Sequence, residues 1–251
     1  MTATVRIIHN LARSGGTIFA RCLGCMDSVA LLSEIHPLTV GIFGATQQAA
    51  EWHGLQVPPG QSFVANIGAL AEAAAGAGKA LVLRGWDHVD LMPCPHNGWV
   101  PSMHSELFDT LAGRFEVRRL ALVREPLAMW ASLRRHWAKA TQPQYGDVSL
   151  ADFLRGYRAF AEMAYTMPLV RYEDFCADPV GTLAEVCELL DLRFDAGWPG
   201  KWRHYRKVTG DIANQGERRG IAMPPPVRDP ELEAKAAGNP DYRVAVALLG
   251  Y

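Results

Sequence analysis

The sequence predicts an α/β fold from three observations. Short apolar runs of strand length recur along the chain, segments of helical apolar spacing follow them, and Gly- or Pro-marked turns lie between. The first run, Val5 to Ile8, leads into a turn at Arg13-Ser14-Gly15-Gly16-Thr17. A helix follows in which Ile18, Phe19, Cys22, Leu23 and Met26 recur at helical spacing. Adjacent glycines allow a sharp turn and close approach of backbone to a ligand, and a helix start offers unpaired N–H groups with partial positive charge. Together these make a phosphate cradle. The nucleoside-triphosphate version, GxxxxGK[ST], needs a Lys just before the hydroxyl residue at the helix start. Gly16 stands there, and the cation, Arg13, precedes the glycines. The bland alternative is an ordinary strand-to-helix turn with a solvated Arg.

The remaining elements follow in order. Val29 to Leu32 reads as a second strand ending in Ser33-Glu34-Ile35-His36-Pro37, so a carboxylate and an imidazole reach the edge where open α/β sheets bind ligands. Phe63 to Ala77 reads as a helix with Val64, Ile67, Leu70, Ala71 and Ala74 on its apolar face. Ala80 to Leu83 is a buried parallel strand that delivers Arg84-Gly85-Trp86-Asp87-His88 to the same edge. Met92 to Met103 is a Pro- and Gly-containing loop suited to a substrate lid or to an inert surface excursion. Ser105 to Leu111 continues as a helix, and Glu116 to Val123 is a further strand. Pro126 opens a helix reaching about Trp137, preceded by Glu125, a poorer cap residue than Asp or Asn, which predicts a looser helix start. Met167 to Phe175 reads as a last core strand and its turn, and Asp178-Pro179 opens a helix over Val180 to Leu190. Residues 222–230 are Pro-rich, and 231–251 form a helical tail interrupted near Gly238-Asn239-Pro240.

Composition narrows the function classes. A chain of 251 residues with 49% hydrophobic content suits one domain with a sizeable core. Twenty-five Lys and Arg against 26 Asp and Glu leave a formal net charge of −1, so no global field holds nucleic acid or an anionic membrane, and any anion site is local. Five cysteines (Cys22, Cys25, Cys94, Cys176, Cys187) lack framework spacing, no leader pattern precedes the first strand, and a reducing cytoplasm is the expected home. Cys22-x-x-Cys25 falls inside the first helix and has no second pair, which favours packing over zinc or redox chemistry. No apolar run spans a bilayer.

Three separately spaced segments then carry a resemblance. Arg13-Ser14-Gly15-Gly16-Thr17 resembles the 5′-phosphosulfate loop, [RK]-S-G-[ST]-[ST], of the sulfotransferases that use 3′-phosphoadenosine-5′-phosphosulfate (PAPS), with Gly16 replacing a hydroxyl residue. R-E-P-L-A-M-W-A-S, from Arg124 to Ser132, resembles their R-[DN]-P-x5-S element, in which the Arg and the Ser bind the 3′-phosphate. V-R-Y-E-D-F-C-A-D-P resembles a third signature, in which the Tyr, here Tyr172, approaches adenine. Core packing is the alternative role of Tyr172. The resemblance runs from Val5 to Asp211 and implies a P-loop-NTPase-like sulfotransferase fold: a single α/β domain, residues 1–251, with a central parallel sheet flanked by helices.

It also implies roles. PAPS is the cosubstrate and 3′-phosphoadenosine-5′-phosphate (PAP) the product, no metal is needed, and the acceptor is a hydroxyl or amine of a small molecule, lipid or carbohydrate. Arg13, with the backbone of Ser14, Gly15, Gly16 and Thr17, would stabilise the departing phosphate. Arg124, Ser132 and Tyr172 would hold the 3′-phosphate and base. Glu34 matches the general base of many relatives, with pairing to an Arg as its alternative. His88 is the second choice, two residues beyond Trp86, which aligns with the His of the cytosolic enzymes; His36 stays open. Lys201 to Asp211, containing Arg206, Lys207, Thr209 and Gly210, resembles the basic loop that covers the nucleotide, with a solvated charged face as its alternative. Two rivals remain: a nucleoside-triphosphate-dependent kinase on a related fold and a non-catalytic nucleotide-binding protein.

Overall fold

The computed structural model describes residues 3–58, 62–92, 100–139, 148–210, 220–223 and 229–251. Among these, five strands form one parallel sheet: β1 (Thr4–Asn10), β2 (Val29–Ile35), β3 (Ala80–Gly85), β4 (Glu116–Val123) and β5 (Leu169–Arg171), in the order β2-β3-β1-β4-β5. The helices are α1 (Gly16–Gly24), α2 (Ala45–His53), α3 (Phe63–Gly76), α4 (Asp87–Leu91), α5 (Glu106–Leu111), α6 (Pro126–Lys139), α7 (Leu150–Ala164), α8 (Tyr172–Ala177), α9 (Pro179–Leu189), α10 (Trp198–Lys201), α11 (Pro230–Ala237) and α12 (Pro240–Leu249), with a 3-10 turn at Gly41–Phe43.

β1 lies in the middle because both its faces are apolar. Ile8 points into a layer built by α1, α8, α9 and α10, together with Leu31, Val82, Leu120 and Leu122 of the neighbouring strands. Val5 and Ile7 point the other way, against α2, α3 and α5. The same second face continues over β4, where Ala121 and Val123 meet α6, α7 and α12. Full burial of such runs explains why the strands read as continuous apolar stretches rather than alternating ones.

The structure lengthens and shortens particular elements. β2 carries on through Ser33 and Glu34 to Ile35, with a break in its register against β3 between Ser33 and Ile35. β5 stops at Arg171, and Tyr172 opens α8 instead of extending the strand, because Glu173 and Asp174 complement the positive end of a helix. Glu125 does not loosen the start of α6. Its carboxylate accepts the N–H groups of Leu127 at 2.9 Å and Ala128 at 2.6 Å, and its own N–H is donated to Glu173 Oε1 at 3.0 Å. The tail breaks where expected: Asn239 caps α12 through Asp241 N–H at 2.8 Å, and Ala245 and Leu249 join the core beside α7. Residues 93–99 of the expected lid, 224–228 of the Pro-rich stretch and Asp211 lie outside the described residues.

Candidate active site

Every strand delivers its C-terminal end to one edge, and the strand order reverses at β1, with β3 on one side and β4 on the other. Such a switch point opens a crevice beyond the strand ends. At the end of β1, Arg13 (φ +69°) and Gly15 (φ +91°) both take left-handed backbone conformations. Ser14 shapes the turn, its hydroxyl donating to Leu11 O at 2.7 Å. α1 starts without a side-chain cap and without an acidic residue in its first turn, which leaves its positive end for an anion. Gly15 is sterically required, since a Cβ there would sit 2.2 Å from the Tyr172 ring, and one on Gly16 would sit 2.5 Å from Asn10 Nδ2, a side-chain end that would have to shift. The Asn10 amide thus fills the space that a hydroxyl residue at position 16 would need.

The middle of the chain arrives at the same place. Arg124, buried at the end of β4, donates from Nη1 to Arg13 O at 2.9 Å, and its Cζ lies 5.2 Å from the Tyr172 ring centroid. Arg13 in turn donates from Nε to Ser132 Oγ at 3.1 Å. Tyr157 fixes the strand end by donating to Arg124 O at 2.6 Å. Burial lowers the Arg124 pKa from its usual value, and Arg124 Nε is buried without a hydrogen-bond partner among the described residues. A buried donor without a partner on a paired cation fits an anionic ligand. Arg13, Ser14 to Thr17, Arg124, Ser132 and Tyr172 therefore share one rim.

On the β2–β3 side, Glu34 holds φ +56°, and its Oε1 lies 3.3 Å from Arg84 Nη2. Trp86 stacks on Phe43, with centroids 5.3 Å apart, and forms an aromatic wall two residues beyond Arg84. His88 is half-buried, and burial pushes its pKa down to about 4, so the ring is neutral at neutral pH and a weak base. His36 points away from a base role: its Nε2 donates to Asp90 Oδ1 at 2.9 Å, and Glu106 Oε2 lies 3.6 Å off. These three side chains have the donor atoms of a metal site within 4.8 Å of one another. However, His36 Nδ1 accepts Leu38 N–H at 3.2 Å, whereas a ligating His gives its second nitrogen a proton to donate. The cluster is a hydrogen-bond junction joining the end of β2, α4 and α5.

The basic segment reaches the site through its end. Thr209 N–H and Oγ1 lie 3.1 and 3.0 Å from Ser33 Oγ, and a Cβ on Gly210 would be 2.7 Å from Glu34 Oε1 and 3.2 Å from Thr17 Oγ1. Lys207 is exposed, and the Arg206 guanidinium folds back to the carbonyls of Arg203 and Tyr205. Cys22 in α1 and Cys25, which caps its C-terminus, are both buried, and burial lifts both thiols, Cys25 to about 12, which suits packing and not redox chemistry.

No protein-family model matches the sequence, and no curated protein does either. Solved structures do. The sulfotransferase domain from the Synechococcus PCC 7002 olefin synthase superposes with a TM-score of 0.64 at 17% identity, covering 99% of this chain and 94% of that one. The chain has the sulfotransferase fold. A second structure with this sulfotransferase fold, the domain from the curacin biosynthetic pathway, gives 0.63 at 15% identity over 99% and 98% of the two chains. Mouse sulfotransferase SULT7A1, complexed with PAP, gives 0.54 at 13% identity over 100% and 89%. Within this sulfotransferase fold, sequence reasoning passed over four side chains at the site. Arg84 and Ser33 carried a signal, each being a polar residue directly after an apolar strand. Asp87, fully buried, accepts His9 Nδ1–H at 2.7 Å and Asn10 N–H at 2.9 Å and so pins the strand end that launches the cradle. Gln48 had no such signal, because α2 starts at an uncapped glycine and buries only Ala45, Gln48 and Ala49.

Proposed function

We propose that this chain is a sulfotransferase of single-domain build that takes PAPS as donor and sulfates a hydroxyl or amine of a small molecule, lipid or carbohydrate. One observation carries the reading: Arg124 bonds the backbone of Arg13, Arg13 bonds Ser132, and both cations flank the uncapped start of α1. These contacts hold the cradle and the end of β4 at one rim, so a nucleotide with an anionic group at each end meets cationic and N–H donors from both pieces of chain.

In this reading Arg124 and Ser132 take the 3′-phosphate, Tyr172 packs beside the adenosine, and the cradle from Ser14 to Thr17 takes the 5′ end. The acceptor oxygen attacks sulfur as the bond from sulfur to the phosphate oxygen breaks, and PAP leaves. Arg13 and the α1 N–H groups lower the barrier by meeting the charge that grows on the phosphate. Glu34 takes the acceptor's proton, and His88, with its lowered pKa, is the weaker choice. The segment ending in Thr209 and Gly210 covers the donor, with Arg206 and Lys207 adding positive charge. The transfer in this reading needs no metal. Among the described residues no helix is long and apolar enough to cross a membrane, and cysteines without framework spacing favour a reducing cytoplasm.

Incubation with PAPS and a panel of lipid, carbohydrate, phenol and amine acceptors, read by mass spectrometry for the gain of a sulfate, tests the reading. The parent yields sulfated product and Arg13→Ala does not. PAPS binding with neither PAP nor any sulfated acceptor formed across a broad panel would favour a nucleotide-binding protein without transfer activity.

A further inference from the structure

At the ends of β2 and β3 one guanidinium joins three pieces of chain distant in sequence. Ser33 and Arg84 are register partners in the ladder, and Arg84 donates to Ser33 Oγ from Nε at 3.1 Å and from Nη2 at 2.7 Å. The same Nη2 lies 3.1 Å from Thr209 O and 3.3 Å from Glu34 Oε1. Thr209 also meets the Ser33 hydroxyl with its N–H and its own hydroxyl. Ser33 is itself held still. Gln48 accepts its N–H at 2.7 Å and donates to its carbonyl at 2.8 Å, doing for the edge strand what a further strand would do.

Two features make this more than filler. The Arg84 side chain is only 3% exposed, so its donors need partners, and removing them leaves an uncompensated buried cation. Glu34 sits in a left-handed conformation within the register break, which a residue with a side chain keeps only where its surroundings impose it. Arg84 is the cation those surroundings supply. Gly210, also left-handed, closes against Glu34 and Thr17 together.

We propose that Arg84 is a positioning residue that ties the 205–210 segment, Ser33 and Glu34 into one unit, so that seating of the segment over the donor and the aim of Glu34 are set together. What Glu34 does rests on the sulfotransferase reading; the linkage is made by this chain alone. Arg suits the task because its planar fork serves the hydroxyl, the carbonyl and the carboxylate at once, which a Lys ammonium on a flexible stem does not.

The test compares the parent with Ser33→Ala, Arg84→Lys and Arg84→Met by hydrogen–deuterium exchange with and without PAP, by calorimetric PAP binding and by denaturant midpoint. Without PAP, exchange over 205–210 quickens about tenfold in Ser33→Ala and Arg84→Met, while β1 and β4 keep their protection. PAP slows exchange at both 205–210 and 34–36 in the parent. In Arg84→Met it slows only the cradle, and Arg84→Lys restores part of the effect. PAP affinity falls about fivefold in Ser33→Ala, the size of one net hydrogen bond. Ser33→Ala removes only a hydroxyl and decides the matter should Arg84→Met fail to fold. PAP-induced protection of 34–36 that survives in Arg84→Met, or unchanged exchange over 205–210 in Ser33→Ala, overturns the proposal. A parent that does not bind PAP overturns the sulfotransferase reading instead, and the exchange of Thr209 without nucleotide still judges the linkage.

Discussion

Arg13 Nε donates to Ser132 Oγ at 3.1 Å, a bond across 119 residues of sequence that draws the side chain of the cradle toward the seat formed at the end of β4. In the proposed reading, contacts within the protein hold Arg13, Ser132 and Arg124 together before any nucleotide binds. Ser132→Ala removes a single hydroxyl partner and weakens PAP binding about fivefold, whereas Arg124→Ala removes a whole cation and its bonds and weakens it about 10- to 100-fold. Calorimetric titration of both variants distinguishes these two sizes.

Gly15 is predicted to be irreplaceable on two counts. Its φ of +91° disfavours any Cβ, and that atom would meet the Tyr172 ring at 2.2 Å. Gly15→Ala lowers the unfolding free energy by about 2 kcal/mol or more, measured from the denaturant midpoint at constant slope. Gly16→Ala is harmful for a different reason, its clash with Asn10, and Asn10→Ala restores part of the loss. A cycle of these variants that proved simply additive would remove Asn10 from the explanation.

Glu125 tests the helix start. Its carboxylate takes two N–H groups of α6, so Glu125→Ala costs about 1 kcal/mol of stability and also weakens PAP binding by loosening the neighbouring Arg124. Thermal unfolding and PAP titration of the one variant read both effects.

The acid response of His88 has a definite sign. Burial holds its folded pKa near 4 against 6.5 in a free side chain, so the unfolded chain binds the proton first and the contribution to stability is lost as pH falls from about 6.5 to 4. Relative to His88→Gln, the parent loses stability over that window. Paired denaturation curves at neutral pH and near pH 4 measure the difference.

The sheet and the cradle were legible because both are local: apolar runs mark the strands, and the glycines and Arg13 mark the turn between them. Helix α7 went unread although its segment carries a signature, with Ser149 capping at Asp152 N–H and Leu150, Phe153, Leu154, Tyr157 and Phe160 on one face. The convergence of Arg84, Ser33, Gln48 and Thr209 was not legible, since it depends on register between β2 and β3 and on the path of a segment more than a hundred residues later. The same holds for Asn10 beneath Gly16. A departure from a motif at position 16 finds its reason in a residue six positions earlier, and only folding shows the two in contact.

The central claim is that Arg124 reads a 3′-phosphate while the cradle holds the 5′ end of the same nucleotide. Comparing PAP with AMP, which lacks that phosphate, by calorimetry on the parent and on Arg124→Ala tests it most directly. The account predicts that the parent prefers PAP by roughly 10- to 100-fold and that the preference collapses in Arg124→Ala with AMP affinity unchanged. Equal binding of PAP and AMP by the parent, or a preference that persists without Arg124, would contradict it.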